Sequence, residues 1–354
     1  MDNTPGFDAA TQQQPQPPQG LHIRPLPPRK PSGAWRVVRW ILFIVVTVVC
    51  ALSVLVNFVL SAGLTGGGVR AEKVNERHLF GPSGMSASAK VAVVTVDDII
   101  TGTEETGATA WIFQQLKRAE DDGKVKAIIL DVNSPGGGIT ASDIVHERVK
   151  KFQKRGKKVI VLMRDVAASG AYYISASADE IVAHPTTITG SIGVIVSSFN
   201  IEGLFGKIGV EAVVFKSAPY KDLLSPYRPV TPEESAILQG IVDKMFARFK
   251  EIVAEGRSLT EDEVDAVSNG AIFTAQEALD RKLIDSIGYF DDAVTSARKA
   301  AGTTNIEVVR YEKPPTLMDV LFSSKTDAAG DLTEEMAKLV ETRRPGFYYL
   351  WPGP

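Results

Sequence analysis

Twenty-one consecutive residues, Trp40 to Leu60 (WILFIVVTVVCALSVLVNFVL), carry no charged side chain, and the uncharged stretch runs on to Val69. As an α-helix those residues span ~30 Å, the thickness of a bilayer's hydrocarbon layer. A buried soluble helix of that length would show a polar face, and this one has almost none. One transmembrane helix is therefore expected over 40–62. A cleaved signal peptide is the rival reading, with small residues at Ser61 and Ala62. Against it stand the long leading segment and an apolar core that exceeds the usual ~7–15 residues. Arg24, Arg29, Lys30, Arg36 and Arg39 precede the run with no acid between them, whereas Arg70, Lys73 and Arg77 after it alternate with Glu72 and Glu76. The positive-inside rule then puts the N-terminus in the cytoplasm and the rest outside. Cys50, the chain's one cysteine, lies within the run and is expected to pack or to face lipid.

The flanks of this run differ in kind. Residues 1–39 hold QQQPQPPQG and RPLPPRKP, which cannot bury a core and read as a cytoplasmic tail of polyproline character. Residues 63–89 are rich in Gly, Ser and charge and read as a linker. Composition excludes several classes. With 44% hydrophobic and 23% charged residues the chain is not disordered throughout. With 39 Lys and Arg against 42 Asp and Glu it offers no general basic surface, so no nucleic-acid partner is expected. One thiol makes no internal disulfide or Cys-rich zinc site, and the four scattered histidines have no HExxH spacing, so no metal or cofactor is expected.

The core begins near Lys90. KVAVVTVDDII reads as a buried strand, TGATAWIFQQLKRAEDDGKV as a helix, AIILDV as a strand, ASDIVHERVKKFQKRG as a helix and KKVIVLM as a strand. A helix over 170–178 and strands at EIVAH, GSIGV and EAVVF continue the alternation. This is the pattern of an α/β fold with mostly parallel strands and helices outside. Thr231 and Glu234 form a capping box at the start of a long helix, TPEESAILQGIVDKMFARFKEIVAEGR. TAQEALDRKLIDSIGYFDDAVTSARKAAG reads as a helical hairpin broken at Gly288. The last ~50 residues are less regular, consistent with a terminal extension. Their aromatic end, GFYYLWPGP, reads either as a dock for a neighbour or the membrane, or as a strap over its own domain.

Three glycine-rich turns follow expected strands. In Asn133-Ser134-Pro135-Gly136-Gly137-Gly138, consecutive glycines present backbone N–H groups at close range, suited to an oxyanion or a phosphate, or else form a bare turn. The sequence is neither GxxxxGK[ST] nor GxGxxG. In Ala167-Ala168-Ser169-Gly170-Ala171-Tyr172-Tyr173 a serine stands where a strand gives way to a helix, either as an N-cap or as a nucleophile at an elbow. The GxSxG pattern is absent, because Ala167 occupies the first glycine position. Ser191, in Thr189-Gly190-Ser191-Ile192-Gly193-Val194, is a competing nucleophile or a strand-pairing turn. A serine nucleophile needs a base. His184 lies fifteen residues on, with acids at Asp165 or Asp179. Lys221, in SAPYKDLLSPYR, is the other candidate, because burial can leave a lysine amine neutral. Spacing and local chemistry leave both bases open.

NSPGGG, AASGAYY, TGSIGV and YKDLLSPYRPVT, in that order, resemble the signal peptide peptidase A (SppA) family in its short, single-copy form. The resemblance covers 90–302, leaving 303–354 as a C-terminal extension. It implies a Clp-protease/crotonase-like fold and a Ser/Lys dyad in a membrane-anchored serine endopeptidase. By resemblance Ser169 is the nucleophile, Lys221 the general base, and Gly136 and Gly137 the oxyanion loop; this displaces His184. Two small departures are Ala171 where the family often has a second glycine, and Ala218-Pro219 before the Tyr-Lys pair. In short members the lysine is similar to one supplied by the adjacent protomer. A homo-oligomer with shared sites is thus implied, acting on cleaved signal peptides and other short hydrophobic peptides at the outer face of the cytoplasmic (inner) membrane. The alternatives are a crotonase-like acyl-thioester enzyme, a catalytically inactive membrane scaffold, and a related Ser/His/Asp peptidase using His184.

Overall fold

The computed structural model describes residues 37, 39–51, 53–54, 74–314 and 346–351. Contacts divide the chain into two units, 1–68 and 69–354. In the first, residues 39–51 form helix α1, with exposed apolar side chains such as Trp40 and Phe43. Among the described residues no helix is long and apolar enough to cross a membrane. The last eight residues of the expected span, 55–62, lie outside the described residues, as does the tail before residue 37.

The second unit follows the expected alternation through its centre. The elements run β1 (Asn75–Phe80), β2 (Ala89–Asp97), α2 (Gly107–Asp121), β3 (Val125–Ser134), β4 (Gly136–Gly138), α3 (Ile139–Lys154), β5 (Lys158–Ala168) and α4 (Gly170–Ser175). Then come β6 (Glu180–Ala183), β7 (Ile188–Gly190), β8 (Ile195–Ser197), α5 (Glu202–Lys207), α6 (Pro232–Arg257), α7 (Glu261–Val267) and β9 (Ile272–Thr274). The chain closes with α8 (Ala275–Asp280), β10 (Ser286–Ile287), α9 (Phe290–Ala300), β11 (Ile306–Glu312) and β12 (Gly346–Leu350). The main sheet has the order β1-β11-β2-β3-β5-β6-β10, with β7 pairing β5 and β9. The pairs among β11, β2, β3, β5, β6 and β10 are parallel, and β1 lies antiparallel on β11. A second, small sheet has the order β4-β12-β8.

Strand periodicity sorts the core onto two faces. Ala92, Val94, Val96, Ile128, Leu130, Val132, Val161 and Met163 pack toward α2, α3 and α4. The alternate residues Val91, Val93, Ala127, Ile129, Ile160 and Leu162 pack against Ala293, Val294 and Ala297 of α9. A sheet covered on both faces needs apolar residues at every position, which is why β2, β3 and β5 read as continuous apolar runs. The parallel arrangement also brings the C-terminal ends of β3 and β5 side by side, and both glycine-rich turns emerge there.

Five readings need correcting. GSIGV, expected as a strand, is the link between β7 and β8, because Ser191 turns the chain out of the extended conformation at φ +48°. The stretch read as linker, 63–89, contributes β1; NERHLF is an edge strand with few apolar residues, so no apolar run marks it. EAVVF forms no strand, because nothing among the described residues pairs with it: Phe215 stays 96% exposed. The supposed helical hairpin is two helices separated by β10, whose Ser286 and Ile287 extend the sheet beyond β6. In the C-terminal extension, β11 joins the sheet between β1 and β2, and β12 lies as a strap over its own domain. The Thr231 capping box at α6 is present, with Glu234 N–H donating to the Thr231 hydroxyl at 3.2 Å.

One buried histidine gives the fold a pH dependence. His146 of α3 is 3% exposed, and its Nε2 lies 3.0 Å from the Ser177 hydroxyl. Burial pushes its pKa down from 6.5 to about 4. The unfolded chain then takes up this proton first as pH falls, so stability is lost between about pH 6.5 and 4. That difference corresponds to roughly 3 kcal/mol at the acid end. Urea unfolding of His146→Phe at pH 7.5 and pH 4.5 is expected to show a correspondingly smaller acid loss than the wild type.

Candidate active site

Ser169 sits between the last residue of β5 and the first of α4, with φ +54° and ψ −114°. That conformation costs a non-glycine residue ~1–3 kcal/mol and persists only where packing imposes it. Ala167, Ala168 and Ala171 around it are fully buried. The Ser169 N–H donates to the Gly190 carbonyl at 2.8 Å, and its own carbonyl accepts from Tyr173 N–H at 2.9 Å, starting α4. The side chain lines a cavity of about 510 Å³ shared with Ser191, Asp243, Phe246, Leu350 and Trp351. Ser191 also has a positive φ, +48°, but it follows β7, and its N–H donates to the Ala271 carbonyl at 2.7 Å.

The glycine strand lies against the Ser169 elbow. Gly136 N–H is already committed to the Ser134 hydroxyl, at 3.1 Å. The amide that faces the elbow is that of Gly137: a methyl built on Gly170 would stand 3.0 Å from the Gly137 nitrogen. The same methyl would meet the Ser142 hydroxyl at 2.4 Å, so residue 170 has no room for a side chain. Two backbone amides, of Gly137 and Gly170, therefore flank one small space next to Ser169.

An extended strand already occupies that space. β12 runs antiparallel between β4 and β8, with Tyr349 opposite Gly137 and Leu350 opposite Gly136. A methyl built on Gly136 would stand 2.3 Å from the Tyr349 carbonyl oxygen and 2.6 Å from the Gly170 nitrogen.

The two candidate bases lie elsewhere. Lys221 is exposed, in the turn-rich segment 217–227, and does not line the Ser169 cavity. Its neighbours are firmly held. Arg228 and Lys216 keep the Asp222 carboxyl well below the usual carboxylate range, and Arg228 holds Glu234 at about 2. His184 ends β6, with Nδ1 2.8 Å from the Thr186 hydroxyl and its ring edge-on to Tyr289 at 4.9 Å. It too is absent from the cavity lining. Asp179, proposed to orient it, is paired instead with Lys158 at 2.6 Å.

Residues 151–304 match the model of peptidase family S49, and residues 87–188 match that of Clp protease. A protein of Enterococcus faecium named as a signal peptide peptidase SppA is 35% identical over 238 residues, covering 65% of this chain and 69% of that one. A Synechocystis protein named as a protease is 36% identical over 239 residues, covering 67% of this chain and 84% of that one. This chain belongs to peptidase family S49. Protease 4 of Salmonella typhi, 34% identical, is matched over only 40% of its length, so the chain spans less than half of that relative.

Within this S49 peptidase, sequence reasoning overlooked Gly170 as an amide beside Ser169. It also overlooked Tyr173, four residues after Ser169 and so one helical turn along α4. AASGAYY contains both, but a lone SG pair says nothing about which amide faces which strand. Arg228 ties the Lys221 segment to α6. Its guanidinium joins Asp222, next to Lys221, to Glu234 at the start of α6, with contacts of 2.7 and 2.5 Å. Arg228→Gln is expected to lower kcat on a hydrophobic peptide about tenfold or more, as loose positioning of a reacting group does, with little change in KM. Steady-state kinetics checks this split.

Proposed function

We propose that this chain is a membrane-anchored serine endopeptidase with a Ser169/Lys221 dyad. Its substrates are cleaved signal peptides and other short hydrophobic peptides at the outer face of the cytoplasmic membrane. The observation that carries the reading is the elbow itself: a strained serine beside two inward-facing amides, against a glycine strand that pairs with an extended chain. Ser169 Oγ attacks the scissile carbonyl as the free amine of Lys221 takes its proton. The N–H groups of Gly137 and Gly170 receive the developing oxyanion, commonly the largest single contribution to such catalysis. Lys221 then returns the proton to the leaving amine, and water hydrolyses the acyl-enzyme. Of the two oxyanion glycines read from sequence, Gly137 is the donor, and Gly136 supplies the turn at φ +101°.

The lysine comes from a neighbouring copy in this reading. The stretch leading to Lys221 carries apolar side chains that are exposed among the described residues: Val213 is 70% exposed, and Phe199, Leu204 and Ile208 are exposed with it. Exposed apolar side chains of this kind fit an interface between subunits. The anchor is the apolar run at 40–62, with the basic residues before it in the cytoplasm; digestion of the catalytic unit by protease added to spheroplasts tests that orientation.

The nucleophile is tested by a fluorophosphonate probe and peptide mass mapping. An adduct on Ser169 supports the reading. An adduct on Ser191 alone, or a folded chain that takes no label, sinks it.

A further inference from the structure

One buried hydroxyl beside the elbow has nothing to bond. Ser142 of α3 is fully buried, and among the described residues its Oγ makes no hydrogen bond. A helical serine shielded from water can satisfy its hydroxyl on the carbonyl four residues back. Ser175 of α4 does so, donating to the Ala171 carbonyl at 2.7 Å. Ser142 instead lies over Gly170. The point where a methyl on Gly170 would stand is 2.4 Å from the Ser142 Oγ, 3.0 Å from the Gly137 nitrogen and 3.0 Å from the Tyr349 carbonyl oxygen. The hydroxyl therefore borders the same small space as the two amides. β4 leads directly into α3, with Gly138 as its N-cap, so one continuous segment carries both the glycine strand and Ser142. Burying a donor with nothing to donate to costs free energy, and a folded chain that keeps one calls for a reason.

We propose that Ser142 is a third donor of the oxyanion site, idle while the substrate carbonyl is planar and engaged once Ser169 has attacked. This rests on the proposed peptidase reading and adds a catalytic residue to it. Attack forms the bond from Ser169 Oγ to the carbonyl carbon, moves the carbonyl π pair onto oxygen and passes the Ser169 proton to Lys221. The donors of such a site are aimed at the place the charged oxygen takes, not at the resting carbonyl, and a serine hydroxyl serves there as an amide does. The amides of Gly137 and Gly170 and the Ser142 hydroxyl surround that place. A bond made to the oxyanion and not to the substrate raises kcat and leaves KM alone.

Ser142→Ala in the full chain tests this. The substitution removes one oxygen that holds nothing, and alanine is the better helix former, so the thermal midpoint is expected to equal or exceed that of the wild type. On a hydrophobic peptide kcat is expected to fall about 100-fold, with KM within about twofold. Binding gives a second readout. The aldehyde acetyl-Leu-Leu-leucinal, which Ser169 captures as a hemiacetal whose oxygen takes the oxyanion's place, is expected to inhibit Ser142→Ala about 100-fold less tightly. The matching alcohol, which Ser169 cannot attack, is expected to bind both chains alike. An unchanged kcat, in a chain still labelled at Ser169 by a fluorophosphonate, overturns the role of Ser142 and leaves the peptidase reading standing. A fall in kcat matched by a lower thermal midpoint and weaker binding of the alcohol also overturns it, since lost packing does the same. A wild type that takes neither label nor aldehyde removes the peptidase reading, and the role of Ser142 with it.

Discussion

Ser169→Ala and Lys221→Ala chains are each expected to lose about 10⁴-fold in kcat on a hydrophobic peptide, because nucleophile and base act as one unit. Mixed after dissociation and reassembled, the two inactive chains are expected to regain activity. Each shared site needs a serine from one copy and a lysine from the next, so random mixing of equal amounts restores about one quarter of the sites. The physical ground is the position of Lys221, exposed on an apolar segment and absent from the lining of its own chain's Ser169 cavity. A site built within one chain would give no recovery. His184→Ala is expected to stay active, since its ring is held by Thr186 and Tyr289 outside the cavity. A dead His184→Ala with an active Lys221→Ala would replace the dyad with a triad.

How much of this was legible depended on where each feature draws its stability. β2, β3 and β5 are buried on both faces, and their uninterrupted Val and Ile residues announce it. The Thr231 capping box is complete within four residues and could be read directly. β1 and β12 were hidden because their pairing partners, β11 on one side and β4 and β8 on the other, are far away in sequence. EAVVF shows the converse: strong local strand preference fails when no partner strand is available among the described residues. Ser169 was ambiguous from local chemistry, since an N-cap serine and an elbow nucleophile look alike in one dimension. The positive φ and the facing Gly137 amide exist only in three dimensions. The choice between His184 and Lys221 came from motif resemblance alone, as it had to if the lysine belongs to a second copy.

Gly136→Ala and Gly138→Ala, two residues apart on the same short strand, are expected to behave oppositely. Gly136 has φ +101°, and a methyl there would stand 2.3 Å from the Tyr349 carbonyl oxygen and 2.6 Å from the Gly170 nitrogen. The alanine methyl therefore occupies the place where a substrate carbonyl would meet the amides of Gly137 and Gly170. Losing such donors costs about 10²–10³-fold in kcat. The backbone strain of an alanine at that φ costs about 1–3 kcal/mol, and the methyl also forces the Tyr349 and Gly170 backbones to shift, so the fold is measured beside the rate. Gly138 has φ −64°, and its added methyl would make ordinary contact with the Ala141 methyl at 3.7 Å. Its rate should stay within about twofold of wild type, as for substitutions that touch nothing critical. Circular dichroism on both variants, beside their kinetics, separates the outcomes. A folded Gly136→Ala chain with near-normal kcat would mean that the oxyanion forms elsewhere, and a strong loss in Gly138→Ala would mean that the whole glycine strand must flex. The contrast follows from one geometric fact: of these two glycines, only Gly136 has its missing side chain pointed at the Tyr349 carbonyl.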